Sequence, residues 1–310
     1  MIYCGGDALI DFMPLEHADG SVSFSPKPGG AVLNVATALA RLEREVSFVG
    51  ALSTDLFGGM LHDHMVREGI DTTNVRRSDD DSTLAFVSLA GGEARYAFYD
   101  RTSASRLWTG LTEPLGMAEA LHVGSVTLIA DPAASAYAAL AERASRHMVI
   151  SLDPNCRPGL VSDGDAYRDR IARIAAASHI IRLSDEDLAF LHPGASEEEV
   201  VNGLLDGKTR LVIVSRGADG ASAWWPGGRL DMAGRQVEVR DSVGAGDTFH
   251  AGVLAALSRS GRLAVEALDR LDRASVENAL AFGTAAAALN CMESGCEPPA
   301  LDAVLECLGQ

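Results

Sequence analysis

The sequence predicts an α/β protein in which parallel strands alternate with helices, and three observations lead there. Apolar strand candidates at 119 to 130 and 147 to 153 enclose an Ala-rich helix at 132 to 145, introduced by Asp131-Pro132, which is a βαβ pattern. A strand at 46 to 52 passes through an acidic TDLFG turn into the helix MLHDHMVREG, a second strand-helix unit. Residues 241 to 258, DSVGAGDTFHAGVLAALS, carry a bare Gly-Ala-Gly loop into an apolar helix spanning Phe249 to Leu257.

With 310 residues the chain is long enough for one large α/β domain or two small ones, and its composition does not force a split. It is 47% hydrophobic yet has no uninterrupted apolar run of membrane-spanning length, so a soluble globular protein is expected. The opening MIYCGGDALIDF has no basic leader region and reads as a first strand, so no targeting segment is expected. A formal charge of −17 argues against nucleic-acid backbones and anionic membranes as partners, because both need a basic surface to displace counterions. A small anionic ligand would have to be held locally, by helix N-termini, a metal ion and a few Arg or Lys. The five cysteines are scattered and lack any ligand spacing, which fits reduced thiols in a cytoplasmic protein.

Taken in order, the first strand ends at Leu9-Ile10, and Asp11 follows at its C-terminal edge, where ligands bind in open α/β sheets; simple turn chemistry is the alternative. The stretch 14 to 27 reads as a hairpin, and 83 to 90 with 94 to 99, joined by Gly91-Gly92, as another. Neither belongs to a βαβ series. Between them, PGGAVLNVATALARL (28 to 42) places Gly29 and Gly30 before a helix; the glycines let a ligand ring approach the backbone, and Asn34 offers a donor and an acceptor. The strand at 147 to 153 ends in DPNCR, which brings Asp153, Asn155 and Arg157 to the same sheet edge, or else forms a Pro-directed loop with a surface ion pair. In HIIRLSDEDLAFL (179 to 191) a strand meets a helix, with Ser184 as N-cap and Asp187 completing a capping box. RLVIVS (210 to 215) leads into the Gly-bearing turn RGADGAS, and RASVENALAFGTAAAAL (273 to 289) is a small-residue helix suited to close packing.

The Gly244-Ala245-Gly246 loop carries the chemistry. The first N–H groups of a helix lack intrahelical partners and sit at the positive end of its dipole, so a bare loop there closes on an anion such as phosphate. Asp247 would repel that anion unless it is there to take a proton, and a base beside an anion cradle points to phosphoryl transfer to a hydroxyl. Helix capping by Asp247 is the competing reading.

DSVGAGDTF resembles the C-terminal signature DTxGAGD of the PfkB (ribokinase-like) family of carbohydrate kinases, with Ser242 in place of the usual Thr. GGAVLNVA, roughly 200 residues earlier, resembles the N-terminal signature of the same family. Glu43 replaces a Gly common in relatives, which alters a turn. The resemblance implies a single ribokinase-like domain over 1 to 310: a doubly wound α/β/α sandwich with a small β-sheet lid from about 12 to 27 and 83 to 100, forming a homodimer through the lid. It further implies ATP, Mg²⁺ and a sugar acceptor, with K⁺ as an activator. Asp247 is then the base and Gly244, Ala245 and Gly246 the anion hole. Asp11, Gly29, Gly30, Asn34 and Arg157 would hold the sugar, and Ser215, Gly217, Gly220 and Thr284 the nucleotide. Asp187 would contact Mg²⁺ through water, and Asp241 would belong to the K⁺ site. GDALIDFMP, FY-x-R and DPNxR together look most like fructokinases; ketodeoxygluconate, ribose and aminoimidazole riboside remain alternative acceptors. A noncatalytic sensor on the same fold would have no use for Asp247, and a dinucleotide oxidoreductase would need a third Gly after the first strand.

Overall fold

A computed structural model describes residues 1–17, 19–90 and 93–310. The chain opens with β1 (Ile2–Gly5), β2 (Leu9–Glu16), β3 (Val22–Gly29), α1 (Ala31–Arg41), β4 (Val46–Ser53), α2 (Leu56–Arg67) and β5 (Val75–Ser78). There follow β6 (Leu84–Ala90), β7 (Glu93–Tyr99), β8 (Ala120–Gly124), α3 (Ala133–Ala144), β9 (Val149–Asp153), α4 (Gly164–Ala177), β10 (Ile180–Ser184), α5 (Asp185–Leu191) and α6 (Glu197–Leu205). The last part contains β11 (Leu211–Ser215), β12 (Ala221–Trp225), β13 (Gly228–Met232), α7 (Ala245–Arg259), α8 (Val265–Leu268), α9 (Arg273–Cys291) and α10 (Leu301–Leu308).

Nine strands form one sheet in the order β13-β12-β11-β10-β9-β8-β1-β4-β5. Its members from β5 to β11 pair in parallel, while β12 and β13 extend it antiparallel. Strands β1, β4, β8 and β9 are buried along their whole length, because helices cover both faces of a parallel sheet; this is why they read as continuous apolar runs. One face packs Leu33, Phe48, Leu254 and Leu280 beneath α1, α2, α7, α9 and α10. The other packs Tyr137, Trp108 and Ile174 beneath α3 and α4. The result is a doubly wound α/β/α sandwich.

Helix α7 is the central one, buried from Asp247 through Ser258. It lies directly on α9: a side chain added at Gly252 would come within 2.7 Å of the Gly283 backbone. The small residues predicted to allow close packing in the 273 to 289 helix do so here.

A second sheet of four strands, β3-β2-β6-β7, stands apart from the first. Strands β2 and β3 form a hairpin in register from Leu9↔Gly29 to Glu16↔Val22, and β6 and β7 form another. The Gly91-Gly92 link expected between β6 and β7 lies outside the described residues. Two strand boundaries differ from expectation. The opening apolar run is two strands: β1 ends at Gly5, and Asp11 lies within β2 of the small sheet, paired with Lys27. The residue at the edge of β1 is Asp7, whose carboxylate turns onto the Ala31 and Val32 N–H groups and stops the strand there. The run at 119 to 130 is a strand only to Gly124, after which Ser125–Leu128 form a 3₁₀ turn.

Candidate active site

Two helix N-termini meet at a cavity of about 570 Å³ beside the C-terminal ends of β1, β8, β9 and β10. Helix α1 arrives from Gly30, its first N–H groups donating to Asp7 at 3.0 Å from Ala31 and 3.3 Å from Val32. Helix α7 arrives from Gly244, which holds a left-handed φ of 72°. That conformation favours Gly, and a Cβ there would fall 2.2 Å from Cys296 Sγ, so the loop reaches the cavity bare. Asp11, Gly30, Asn34, Arg157, Asp187 and the Gly244–Asp247 segment all line this one cavity. Gly29 stands just behind Asp11, where a side chain would overlap the carboxylate at 2.1 Å.

Asp247 is the third residue of α7, whose N-cap is Gly244, so it does not stand at the capping position. Its Oδ2 accepts from Asn34 Nδ2 at 2.8 Å and its Oδ1 from Asn155 Nδ2 at 3.0 Å. Asn155 reaches it from a left-handed turn (φ 43°), a conformation that Asn tolerates better than most residues. Burial pushes the Asp247 carboxyl up to about 7, with the Asp153 charge adding to the rise, while the Asn34 bond and the Arg182 and Arg157 charges oppose it. Its proton affinity therefore suits general-base work near neutrality. Asp11 is likewise pushed up, to about 6, by burial and by Asp7, against the pull of Arg157.

Sequence reading alone passes over three features: Asp7, the bond that Asn155 makes to Asp247, and Arg182. Asp7 sits at the true end of β1, buried, holding the α1 N-terminus and accepting from Ser125 Oγ at 3.2 Å; burial raises its carboxyl above the usual range. Asn155 belongs to the DPNCR cluster, but nothing local ties it to a residue 92 positions away. Arg182 is the third, and its signal is a charge inside the otherwise apolar strand HIIRLS. Arg182 Nη1 donates to Asp153 Oδ2 at 2.9 Å, a buried pair in place of the surface pair envisaged within DPNCR. Arg157 donates to the Asn155 and Cys156 carbonyls at 3.2 and 2.9 Å and faces the cavity.

A second cavity, of about 370 Å³, lies across the α7 N-terminus. Ser215, Gly217, Gly220 and Thr284 line it together with Val237, Val239, Phe249 and Ala287, so its walls are largely apolar. Arg182, Ser242, Ala245 and Gly246 line both cavities. An apolar slot and a polar chamber thus join at the helix end that favours anions.

The two residues expected to serve cations have protein partners. Asp187 forms the anticipated capping box, accepting from Ser184 N at 2.8 Å and Ser184 Oγ at 2.7 Å, and also accepts from Cys156 N at 2.6 Å. Asp241 lies outside both cavities, tying Val243 N at 3.0 Å to Gly295 N at 2.9 Å. Among the described residues no group of three or more His, Cys, Asp or Glu side chains forms a metal site, and no helix is long and apolar enough to cross a membrane.

A buried carboxylate between a polar chamber and an apolar slot, at a bare helix N-terminus, has the parts that phosphoryl transfer to a hydroxyl needs, which is the arrangement of a kinase of small molecules. The chain belongs to the pfkB family of carbohydrate kinases, whose pattern it matches over residues 1–303. It is 38% identical over 280 residues to a fructokinase of Rhizobium leguminosarum bv. trifolii, covering 90% of this chain and 86% of that protein. Its fold is similar to that of the Xylella fastidiosa fructokinase with bound ATP, with a TM-score of 0.90, 28% identity, and coverage of 99% and 98% of the two chains. It is also similar to a double mutant of the Vibrio cholerae O395 fructokinase in a fructose-, ADP- and potassium-bound form, with a TM-score of 0.86, 26% identity, and coverage of 99% and 97%. The ribokinase-like fold expected from the two signatures is the fold observed.

Proposed function

We propose that this chain is a fructokinase that transfers the γ-phosphoryl group of ATP to a fructose hydroxyl, giving fructose 6-phosphate and ADP. The observation that carries this is Asp247: a buried carboxylate past the N-cap position, held by two amides where the two cavities meet. Fructose is favoured by the Rhizobium relative and by the two fructokinase structures.

In this reading Asp11, Asn34 and Arg157 orient the sugar in the polar chamber, and the Gly29-Gly30 pair admits its ring. Thr284, Ser215, Gly217 and Gly220 border the nucleotide in the apolar slot. Asp247 takes the hydroxyl proton as the acceptor oxygen bonds to the γ-phosphorus; the bond from phosphorus to the β,γ-bridging oxygen breaks, and ADP leaves with the electron pair. The N–H groups at the start of α7, from Ala245 to Asp247, cradle the charge of the moving group.

Mg²⁺ fits a site with few protein carboxylates, because it keeps several waters and is held mainly by phosphate oxygens. Asp187 at the cavity wall would contact it through water, and the ion would neutralise charge on the nucleotide. Asp241 is assigned to a K⁺ site behind the anion hole. The whole chain acts as one domain whose four-stranded sheet is a lid over the sugar, with Leu9, Asp11 and Phe98 already in the chamber wall. The lid exposes Leu15, Val22, Phe24 and Tyr99, apolar surface that suits dimer contact.

The test is ADP release measured across fructose, ribose, ketodeoxygluconate and aminoimidazole riboside. Fructose should give the highest kcat/KM. Strong turnover of another acceptor with little of fructose would overturn the assignment.

A further inference from the structure

Arg182 is the third residue of β10, in the middle of the main sheet, and its side chain is only 8% exposed. Its guanidinium spans the ends of three strands. Nη1 donates to Asp153 at the end of β9, at 2.9 Å, and Nη2 to Ser215 at the end of β11, at 2.5 Å. An arginine that served only as a structural pair would be expected to set its planar fork on one carboxylate. Here the fork is split, and of its five N–H donors two have acceptors among the described residues. Nε is buried with no partner.

The position explains what the free donors face. A Cβ placed on Gly246 would lie 2.9 Å from Nη2 and 3.2 Å from Nη1, so the guanidinium rests against the anion-hole loop. Arg157 lines only the polar chamber and Arg235 only the apolar slot, whereas Arg182 lines both. It is the cation at the junction that a phosphoryl group must cross.

We propose that Arg182 is a catalytic residue whose free N–H groups bond an oxygen of the phosphoryl group during transfer, and that Asp153 is the positioning residue that holds it there. This rests on the kinase reading above. Arg182 exchanges no proton; the bonds made and broken are those of the transfer itself, with the hydroxyl proton going to Asp247. The stabilisation arises because a fixed positive charge in a water-poor site meets negative charge that is spread over the phosphoryl oxygens in the transition state.

The test compares wild type with Arg182→Met, Arg182→Lys and Asp153→Asn, at saturating fructose and Mg·ATP. Arg182→Met should lose about 10²- to 10³-fold in kcat with fructose KM changed by less than about threefold. Arg182→Lys keeps the charge without the fork and should lose at least about tenfold. Asp153→Asn should fall between wild type and Arg182→Met. A second readout separates catalysis from structure: an Arg182→Ala protein supplied with millimolar guanidinium should regain turnover, which a merely structural role would not give. A further readout is the pH profile, because Asp247 faces Arg182, Arg157, Asp153 and Cys296. Loss of the Arg182 charge should move the acid limb of kcat to higher pH. A folded Arg182→Met enzyme with kcat within about threefold of wild type would overturn the proposal, as would a kcat loss in Arg182→Lys that is wholly accounted for by unfolding, with no guanidinium rescue of the Ala variant. Absence of turnover in wild type with every acceptor would instead overturn the kinase reading itself.

Discussion

The Asn34 side-chain amide donates to the Asp247 carboxylate at 2.8 Å, across 213 positions of sequence. This bond joins the first turns of α1 and α7, and with them the two signature motifs. A residue expected to hold the sugar is therefore also one that sets the proton affinity of the base. The two tasks are separable only by measuring both.

Asp11 offers the cleaner test of sugar binding, since it does not touch Asp247. Losing a partner to a desolvated hydroxyl typically costs about 1 to 3 kcal/mol, so Asp11→Ala should raise the fructose KM by about 5- to 150-fold. The ATP KM should stay within about twofold. For Asn34→Ala a weaker sugar KM is expected together with an upward shift of the acid limb of kcat, because the Asn34 bond lowers the Asp247 value. An impaired ATP KM with an unchanged fructose KM would reverse the assignment.

Both signatures and the capping box at Ser184 and Asp187 are legible in sequence because each depends on local backbone: a bare loop before a helix, or a carboxylate three residues beyond a hydroxyl. The β1 boundary is not legible in the same way. Residues 1 to 10 are apolar apart from Asp7 in both sheets that share them, and periodicity does not say which sheet a strand joins; Asp7, with its bonds to Ala31 and Val32, marks the break. The pairings of Asn155 with Asp247 and of Arg182 with Asp153 are hidden for another reason. The partners lie 92 and 29 positions apart, and a pair of that separation leaves no spacing to read. The charge of Arg182 within HIIRLS was the available signal, since a central strand rarely buries an ion without use for it.

Acid should destabilise the protein through its buried histidines. His122 and His250 flank Ser151, whose Oγ lies 3.3 and 2.6 Å from their ring nitrogens, and burial lowers both rings, His122 to about 3 and His250 well below its ordinary 6.5. His179 is lowered to about 4, chiefly by burial. Below pH 6.5 the unfolded chain takes up these protons while the folded one refuses them, so stability is full above 6.5 and falls progressively toward the folded values. The raised carboxyls of Asp247 and Asp11 act in the opposite sense over the same window, so the comparison is with a variant: from pH 7 to 4 the urea midpoint should change less unfavourably in His122→Gln than in wild type. Identical pH dependence in the two proteins would contradict it.

K⁺ is expected to stimulate turnover. Asp241 and Asn290 stitch the loop before α7 to the segment after α9: Asn290 Nδ2 donates to the Val243 carbonyl at 2.9 Å, and Asn290 Oδ1 accepts from Glu297 N at 3.0 Å. A cation bound beside Asp241 would order the same loop that presents Gly244 to Gly246. Replacing K⁺ by tetramethylammonium at constant ionic strength should lower kcat or raise the ATP KM, and Asp241→Asn should blunt the difference. Unchanged values for both parameters would dismiss the site.

The sharpest prediction concerns Asp247→Asn. If the carboxylate only ended a helix, Asn would replace it with almost no effect, since Asn caps as well as Asp. The N-cap of α7 is Gly244 and not Asp247, so the loss should fall on chemistry: Asn cannot take the hydroxyl proton, and kcat should drop by about 10² to 10⁴. Stability should move the other way. Asp247 has a folded value of about 7 against 3.8 in the free residue, so between those limits the folded state holds the proton more tightly than the unfolded one. Wild-type stability from this group therefore declines as pH rises from 3.8 to 7, and the neutral Asn escapes that decline. The variant should melt at an equal or higher temperature than wild type at pH 8, with the advantage gone near pH 4. The same preparation should bind ATP at least as tightly, because a negative charge beside the anion hole has been removed. The measurements are kcat, ATP Kd and thermal midpoint at pH 8 and pH 4. A near-normal kcat in the folded variant would remove Asp247 from the chemistry.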